Sequence, residues 1–163
     1  MGFTTRVKSE ASEKKPFNFA LFWDKYGTFF ILAIIVAIFG SLSSEYFLTT
    51  NNITQIFVQS SVTVLIGMGE FFAILVAGID LSVGAILALS GMGFETYAIA
   101  SAIIGGTSFF GGKGRIFSVV IGGLIIGTIN NGLNILQVQT YYQLVVMGGL
   151  IIAAVALDRL ISK

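Results

Sequence analysis

Residues 116–138 read IFSVVIGGLIIGTINNGLNILQV, 23 positions without a charge. As a helix rising 1.5 Å per residue, such a run crosses the hydrocarbon of a bilayer, which needs about 20 apolar residues. Within it Gly123, Gly127, Asn130, Asn134 and Gln137 recur at steps of four and three. At 100° per residue they share an arc of roughly 80°. Gly123 and Gly127 form a GxxxG, which lets a neighbouring backbone approach closely. Asn130, Asn134 and Gln137 continue that face with amides, which cannot face lipid without losing hydrogen bonds. Two readings fit: polar glue between helices, or a hydrated path whose amides exchange hydrogen bonds with a polyhydroxylated solute.

The rest of the chain has the same character. Of 163 residues, 55% are apolar and 10% charged, and mean hydropathy is +0.92. A soluble domain carries about 25% charged residues. Eight of the 17 charges fall in residues 1–25, which leaves too few to solvate a globular surface. The expected class is all-α, a polytopic membrane helix bundle. With no Cys and no His in the sequence, disulfides, thiolate or imidazole metal sites, Cys nucleophiles and Ser-His-Asp triads are excluded. A net charge of +1 without a basic stripe gives no basis for nucleic-acid binding.

Residues 1–25 form a hydrophilic leader of mixed charge, and residues 26–163 a single transmembrane domain. The first apolar run, 27–44, exceeds the 7–15 residues of a signal-peptide core, so it reads as an uncleaved span with the N-terminus cytoplasmic. Thr49-Thr50-Asn51-Asn52 suits the start of a second helix over 53–77. Residues 81–112 are too long for one span, 116–138 is a clear span, and 141–157 is another. Lys113/Arg115 and Arg159/Lys163 flank the last two spans, so both flanks belong on one side. Parity then requires an even number of crossings before residue 112, giving about six, with one hairpin of short helices. Both termini are expected in the cytoplasm.

A second polar stripe, roughly 120° wide, comprises Gln55, Gln59, Thr63, Gly67 and Glu70. Two such stripes point to a shared interior seam, so the candidate substrate path is Asn130, Asn134, Gln137, Gln55, Gln59 and Glu70. Carboxylates within spans, Glu70 and Glu95, are functional candidates by default, although an interfacial or protonated role is the simpler reading. Asp80, before a new apolar helix, fits an N-cap. Gly111-Gly112-Lys113-Gly114 lacks the spacing of a phosphate loop and reads as a turn. Gly67-Met68-Gly69 with Glu70 recurs as Gly91-Met92-Gly93 with Glu95, a short internal echo or a coincidence among Gly-rich helices.

Residues 78–84, GIDLSVG, together with residues 102–114, AIIGGTSFFGGKG, and the continuation through Gly122-Gly123 and Asn130-Asn131-Gly132 to Asp158-Arg159, resemble the ribose-type permeases, the membrane subunits of bacterial ATP-binding-cassette sugar importers. Gly78, Asp80, Ser82 and Gly84 carry the first motif. The resemblance implies a non-enzymatic subunit of the inner membrane that translocates a monosaccharide, allose- or ribose-like. It implies no cofactor on this chain, since a separate ATP-binding subunit uses the ATP. It also implies a periplasmic sugar-binding protein and a permease homodimer set in membrane lipid. Family members are about twice as long, and here Ser90-Gly91-Met92 runs directly into Gly93-Phe94-Glu95, so a junction with the middle absent is expected near 92–93.

That departure keeps a second reading open: an internally shortened, uncoupled protein that inserts without transporting. The turn at 111–115 is the longest cytoplasmic stretch between spans, too short for a docking helix. A third reading, a small proton-coupled carrier using Glu70 and Glu95, would show uptake driven by a proton gradient rather than by ATP.

Overall fold

A computed structural model describes residues 19–76, 94–108 and 112–161, and all regular structure among them is helical. The helices are α1 (Phe19–Leu42), α2 (Ser44–Phe47), α3 (Thr50–Leu75), α4 (Phe94–Ile104), α5 (Ile116–Ile135) and α6 (Thr140–Ile161). Among the described residues, Thr50–Leu75, Ile116–Ile135 and Thr140–Arg159 are long and apolar enough to cross a membrane, and Tyr26–Leu42 is a shorter apolar stretch. At 11 residues, α4 extends about 16 Å, half the hydrocarbon thickness. The two crossings expected in 81–112 fall partly on residues outside the described ones. So do Gly78, Asp80, Ser82, Gly84 and the junction near 92–93.

Local chemistry sets the corners. The Thr49 hydroxyl accepts from the Asn52 backbone N–H at 3.3 Å, capping α3. The same hydroxyl donates to the Tyr46 carbonyl at 3.0 Å. Buried Phe47 stacks on Phe39 with ring centroids 5.6 Å apart, folding α2 back onto α1.

The end of α5 is equally specific. The N–H of Gln137 donates to Asn134 O at 2.9 Å, and that of Val138 to Leu133 O at 2.9 Å. These paired bonds form a Schellman motif. Its left-handed position is held by Gln137 at φ 56°, where glycine would carry no Cβ penalty. The helix therefore stops three residues short of the apolar run's end at Val138.

The bundle is built around α5. Ile121, Ile125, Ile126 and Ile129 are buried with Ala100 of α4 and Met147 of α6, and Leu32, Ile35 and Phe39 of α1 pack against them. A second cluster joins Phe71 and Ile74 of α3 to Ala102 and Val119. The pairings give direction: Phe29 meets Phe117 at 6.0 Å and Phe39 lies against Gly132, so α1 runs parallel to α5. Val64 lies against Gly123 and Ser60 against Gly127, so α3 runs antiparallel to α5. Through Ser101 against Gly122 and Gly105 against Ser118, α4 does the same.

Candidate functional site: a polar seam between helices

The seam is where α3, α4 and α5 meet. On α3, spacing of three and four places Ser60, Thr63, Gly67 and Glu70 on one buried face, with Glu70 3% exposed. Facing it, α5 contributes Gly123, Gly127 and Asn131, and α4 contributes Ser101, all buried. The glycines bring the backbones together. A Cβ on Gly127 would fall on the Ser60 hydroxyl, one on Gly123 on the Val64 side chain, and one on Gly67 on the Ser101 hydroxyl. The seam is therefore close-packed, and a solute could enter it only if α3 and α5 separated.

At one end of the seam the amides bond to one another. Asn131 Nδ2 donates to Asn52 Oδ1 at 2.8 Å, joining α5 to α3. Asn134 Nδ2 donates to Asn130 Oδ1 at 3.2 Å. Gln143 Nε2 donates to Asn134 Oδ1 and to the Val138 carbonyl, each at 2.8 Å, joining α6 to the end of α5. Asn130 is half-buried, and Asn134 and Gln137 are exposed at the helix end. The buried oxygens Ser60 Oγ, Thr107 Oγ1 and Asn131 Oδ1 make no hydrogen bond. Each represents hydrogen-bonding capacity that the closed packing leaves unused.

The opposite end gathers the charges. The Ser108 hydroxyl donates to Asp158 Oδ2 at 3.0 Å, its N–H donates to Lys113 O at 2.9 Å, and Gly112 N–H donates to Leu75 O at 3.2 Å. The turn at 112–115, the end of α3 and the end of α6 thus lie together, on the same side as the start of α1.

The second stripe divides. Thr63, Gly67 and Glu70 lie in the seam, whereas Gln55 and Gln59 are exposed on the outside of α3. A stripe 120° wide is broader than the flank α4 and α5 cover, so its two N-terminal members fall beyond the packed face. Gln143, Ser60 and Ser101, in contrast, enter the site without having been singled out in the sequence, and Asn52 and Asn131 enter it although they stood out only as part of a helix start and of the family resemblance. Asn131 sits 100° from Asn130, off the stripe, and the pairing with Asn52 spans 79 residues. The side chain of Glu95 lies outside the described residues. Among the described residues no cluster of acidic side chains could hold a metal. An open apolar groove of about 470 Å³, lined by Tyr26, Phe29, Phe30 and Ala33, faces outward from α1 and offers a sugar no side-chain amide or carboxylate.

Residues 89–155 match a family model described as the permease component of a branched-chain amino acid transport system. The D-allose transport system permease protein of Escherichia coli K12 is 50% identical over 326 aligned positions that cover 100% of both chains. Those positions are twice the 163 residues of this chain, so half of them hold no residue of it. Half of 326 is also the number of identities, so nearly every residue present coincides with its counterpart. The ribose import permease protein of Bacillus subtilis is 57% identical over 70 residues, 43% of this chain and 22% of that protein. The xylose transport system permease protein of Haemophilus influenzae is 45% identical over 85 residues, 51% of this chain and 23% of that one. No solved structure matches.

Proposed function

The chain belongs to the permease family that includes the D-allose and ribose transport systems' membrane proteins, and from this premise we propose that it is the membrane-spanning subunit of an ATP-binding-cassette importer for a monosaccharide. The observation that carries the reading is the identity to the D-allose permease at nearly every residue present. It does no covalent chemistry. An ATPase subunit supplies the energy, a periplasmic binding protein delivers the sugar, and two copies of the permease serve the ATPase pair.

In this reading the α3–α5 seam is the part of the path this chain contributes. Ser60, Thr63 and Asn131 line it with hydroxyl and amide groups of the kind that exchange hydrogen bonds with sugar hydroxyls. Opening is helped by the glycine contacts, which hold the backbones close without interlocking large side chains.

The orientation follows from charge. Lys113, Arg115 and Arg159 lie at the end shared by the start of α1, while the other end carries Asn51, Asn52, Asn134 and Gln143 and no basic residue among those described. Basic residues favour the cytoplasmic side, so both termini belong there.

The test is uptake of labelled D-allose by a strain lacking its own permease, with the ATPase and binding protein present. ATP-dependent uptake and co-purification with the ATPase are expected. Absence of both from membranes that contain the inserted chain would refute the proposal.

A further inference from the structure

The α3–α5 seam is held unequally along its length. The end beside the turn at 112–115 is interlocked. Phe71 and Ile74 of α3 are buried with Ala102 of α4 and Val119 of α5, and Phe71 and Thr107 fill the space beside Gly114. A backbone bond adds to this, from Gly112 N–H to Leu75 O at 3.2 Å. Over the other half, Thr50 to Thr63, α3 buries Ile56 as its one large apolar side chain, with Ser60 and Thr63. There Ser60 rests on Gly127, a contact in which α5 offers no side chain to interlock.

The loosely held half also carries unmet hydrogen-bonding groups. Ser60 is 1% exposed and Asn131 4% exposed, and neither Ser60 Oγ nor Asn131 Oδ1 has a partner. Gly127, which Ser60 covers, is one helical turn from Asn131 on α5, so the two oxygens border the same stretch of seam. The tie across it is the 2.8 Å bond from Asn131 Nδ2 to Asn52 Oδ1. Asn52 has a second bond that does not involve α5, from Nδ2 to the Phe47 carbonyl at 2.8 Å. Closing this half therefore leaves two oxygens unsatisfied while making one bond across.

We propose that α3 parts from α5 at the Asn52–Asn131 end while its Phe71–Ile74 end stays seated, and that sugar hydroxyls then replace Asn52 as the partner of Asn131 and supply one for Ser60. The choice of a sugar rests on the importer reading; the unequal hold does not. A ligand shifts a conformational equilibrium only by binding the two states differently. Here the difference is built in, because both oxygens are enclosed in the closed seam and accessible only in the open one. A sugar hydroxyl can donate to Asn131 Oδ1, and can donate to or accept from Ser60 Oγ. The end that opens carries no basic residue among those described; in the importer reading it faces the periplasm, the side from which the sugar arrives.

The chain has no Cys, so pairs of introduced thiols place spin labels at chosen positions. N51C with L136C spans the opening end, and V76C with I116C the seated end; all four positions are exposed. Electron-spin distance measurements in lipid vesicles, without ATPase or binding protein, read both pairs. N52A is expected to raise a longer-distance population of the first pair about threefold, the shift that one interhelical hydrogen bond in a membrane supports, and to leave the second pair unchanged. G127A, whose Cβ would land on the Ser60 hydroxyl, should part the same half with Asn52 intact. D-allose should enlarge the longer population of the first pair, and should fail to do so once S60A and N131A are added. The proposal is overturned if N52A and G127A, with helicity intact, leave the first pair unmoved or lengthen both pairs alike. It is equally overturned if D-allose leaves the first pair unchanged, or acts the same with and without the Ser60 and Asn131 groups. Uptake of D-allose by a chain whose first pair stays fixed refutes this opening and leaves the importer reading standing; opening as expected without uptake does the reverse.

Discussion

Replacing Gly122 by Ala tests the central packing claim, that α4 and α5 touch backbone to backbone. A Cβ at residue 122 would fall on the Ser101 carbonyl oxygen, with Gly105 N at 2.8 Å and the Ser101 carbonyl carbon at 3.0 Å. These are backbone atoms of α4, so no rotamer change relieves the contact, and α4 must move away by roughly 1 Å. The movement opens the layer in which Ala100, Ala102 and Ile103 are almost fully buried. Overpacking of this kind costs about 1–3 kcal/mol, and a backbone collision belongs at the upper end. For a chain of this length that corresponds to a melting midpoint lowered by roughly 6–12 °C. Gly148→Ala is the matched control: the same chemical change inside a helix, where a Cβ meets nothing within 4 Å, and where the better helix propensity of Ala should stabilise by about 0.5–1 kcal/mol. Thermal unfolding of both variants in detergent, followed by circular dichroism, compares them. If Gly122→Ala melts together with Gly148→Ala, the two backbones are not in contact and the arrangement of α4 against α5 is wrong.

The Asn131–Asn52 bond should appear in a double-mutant cycle with Leu as a coupling of about 0.6 kcal/mol, and at most about 1.7; unfolding of the four variants in lipid measures it, and zero coupling would mean the bond is absent. Gln137→Gly should stabilise the chain by about 1 kcal/mol, because glycine removes the Cβ from a left-handed position; an unchanged melting point would count against the Schellman termination of α5. Converting Asn130, Asn134 and Gln137 together to Leu should leave insertion intact while reducing uptake, since Gln143 then keeps only the Val138 carbonyl. Wild-type assembly and uptake in that variant would show the amide end to be idle. For orientation, single cysteines at Lys113 and Asn51 should react with an impermeant maleimide from the cytoplasmic and periplasmic sides respectively; the reverse pattern would invert the topology.

Read alone, the sequence determined the class of structure and most helix positions, because these depend on local properties. Long uncharged runs in a chain with only 10% charged residues belong in a bilayer, and a period of 3.6 residues assigns side chains to a face whatever lies opposite. Thr49 before Asn52 is visible as a cap for the same reason: its bond closes within three residues. The choice of neighbour depends on contacts distant in the chain, and only the tertiary structure decided it. Periodicity put Gln55, Gln59, Thr63, Gly67 and Glu70 on one broad stripe. Packing against α4 and α5 then buried the last three and left the two glutamines outside. Asn131 lay off its stripe and became central because Asn52, 79 residues away, faces it. GxxxG spacing showed that Gly123 and Gly127 permit close approach. That Val64 and Ser60 fill the space they leave is a consequence of how α3 and α5 cross, which one helix's sequence does not encode.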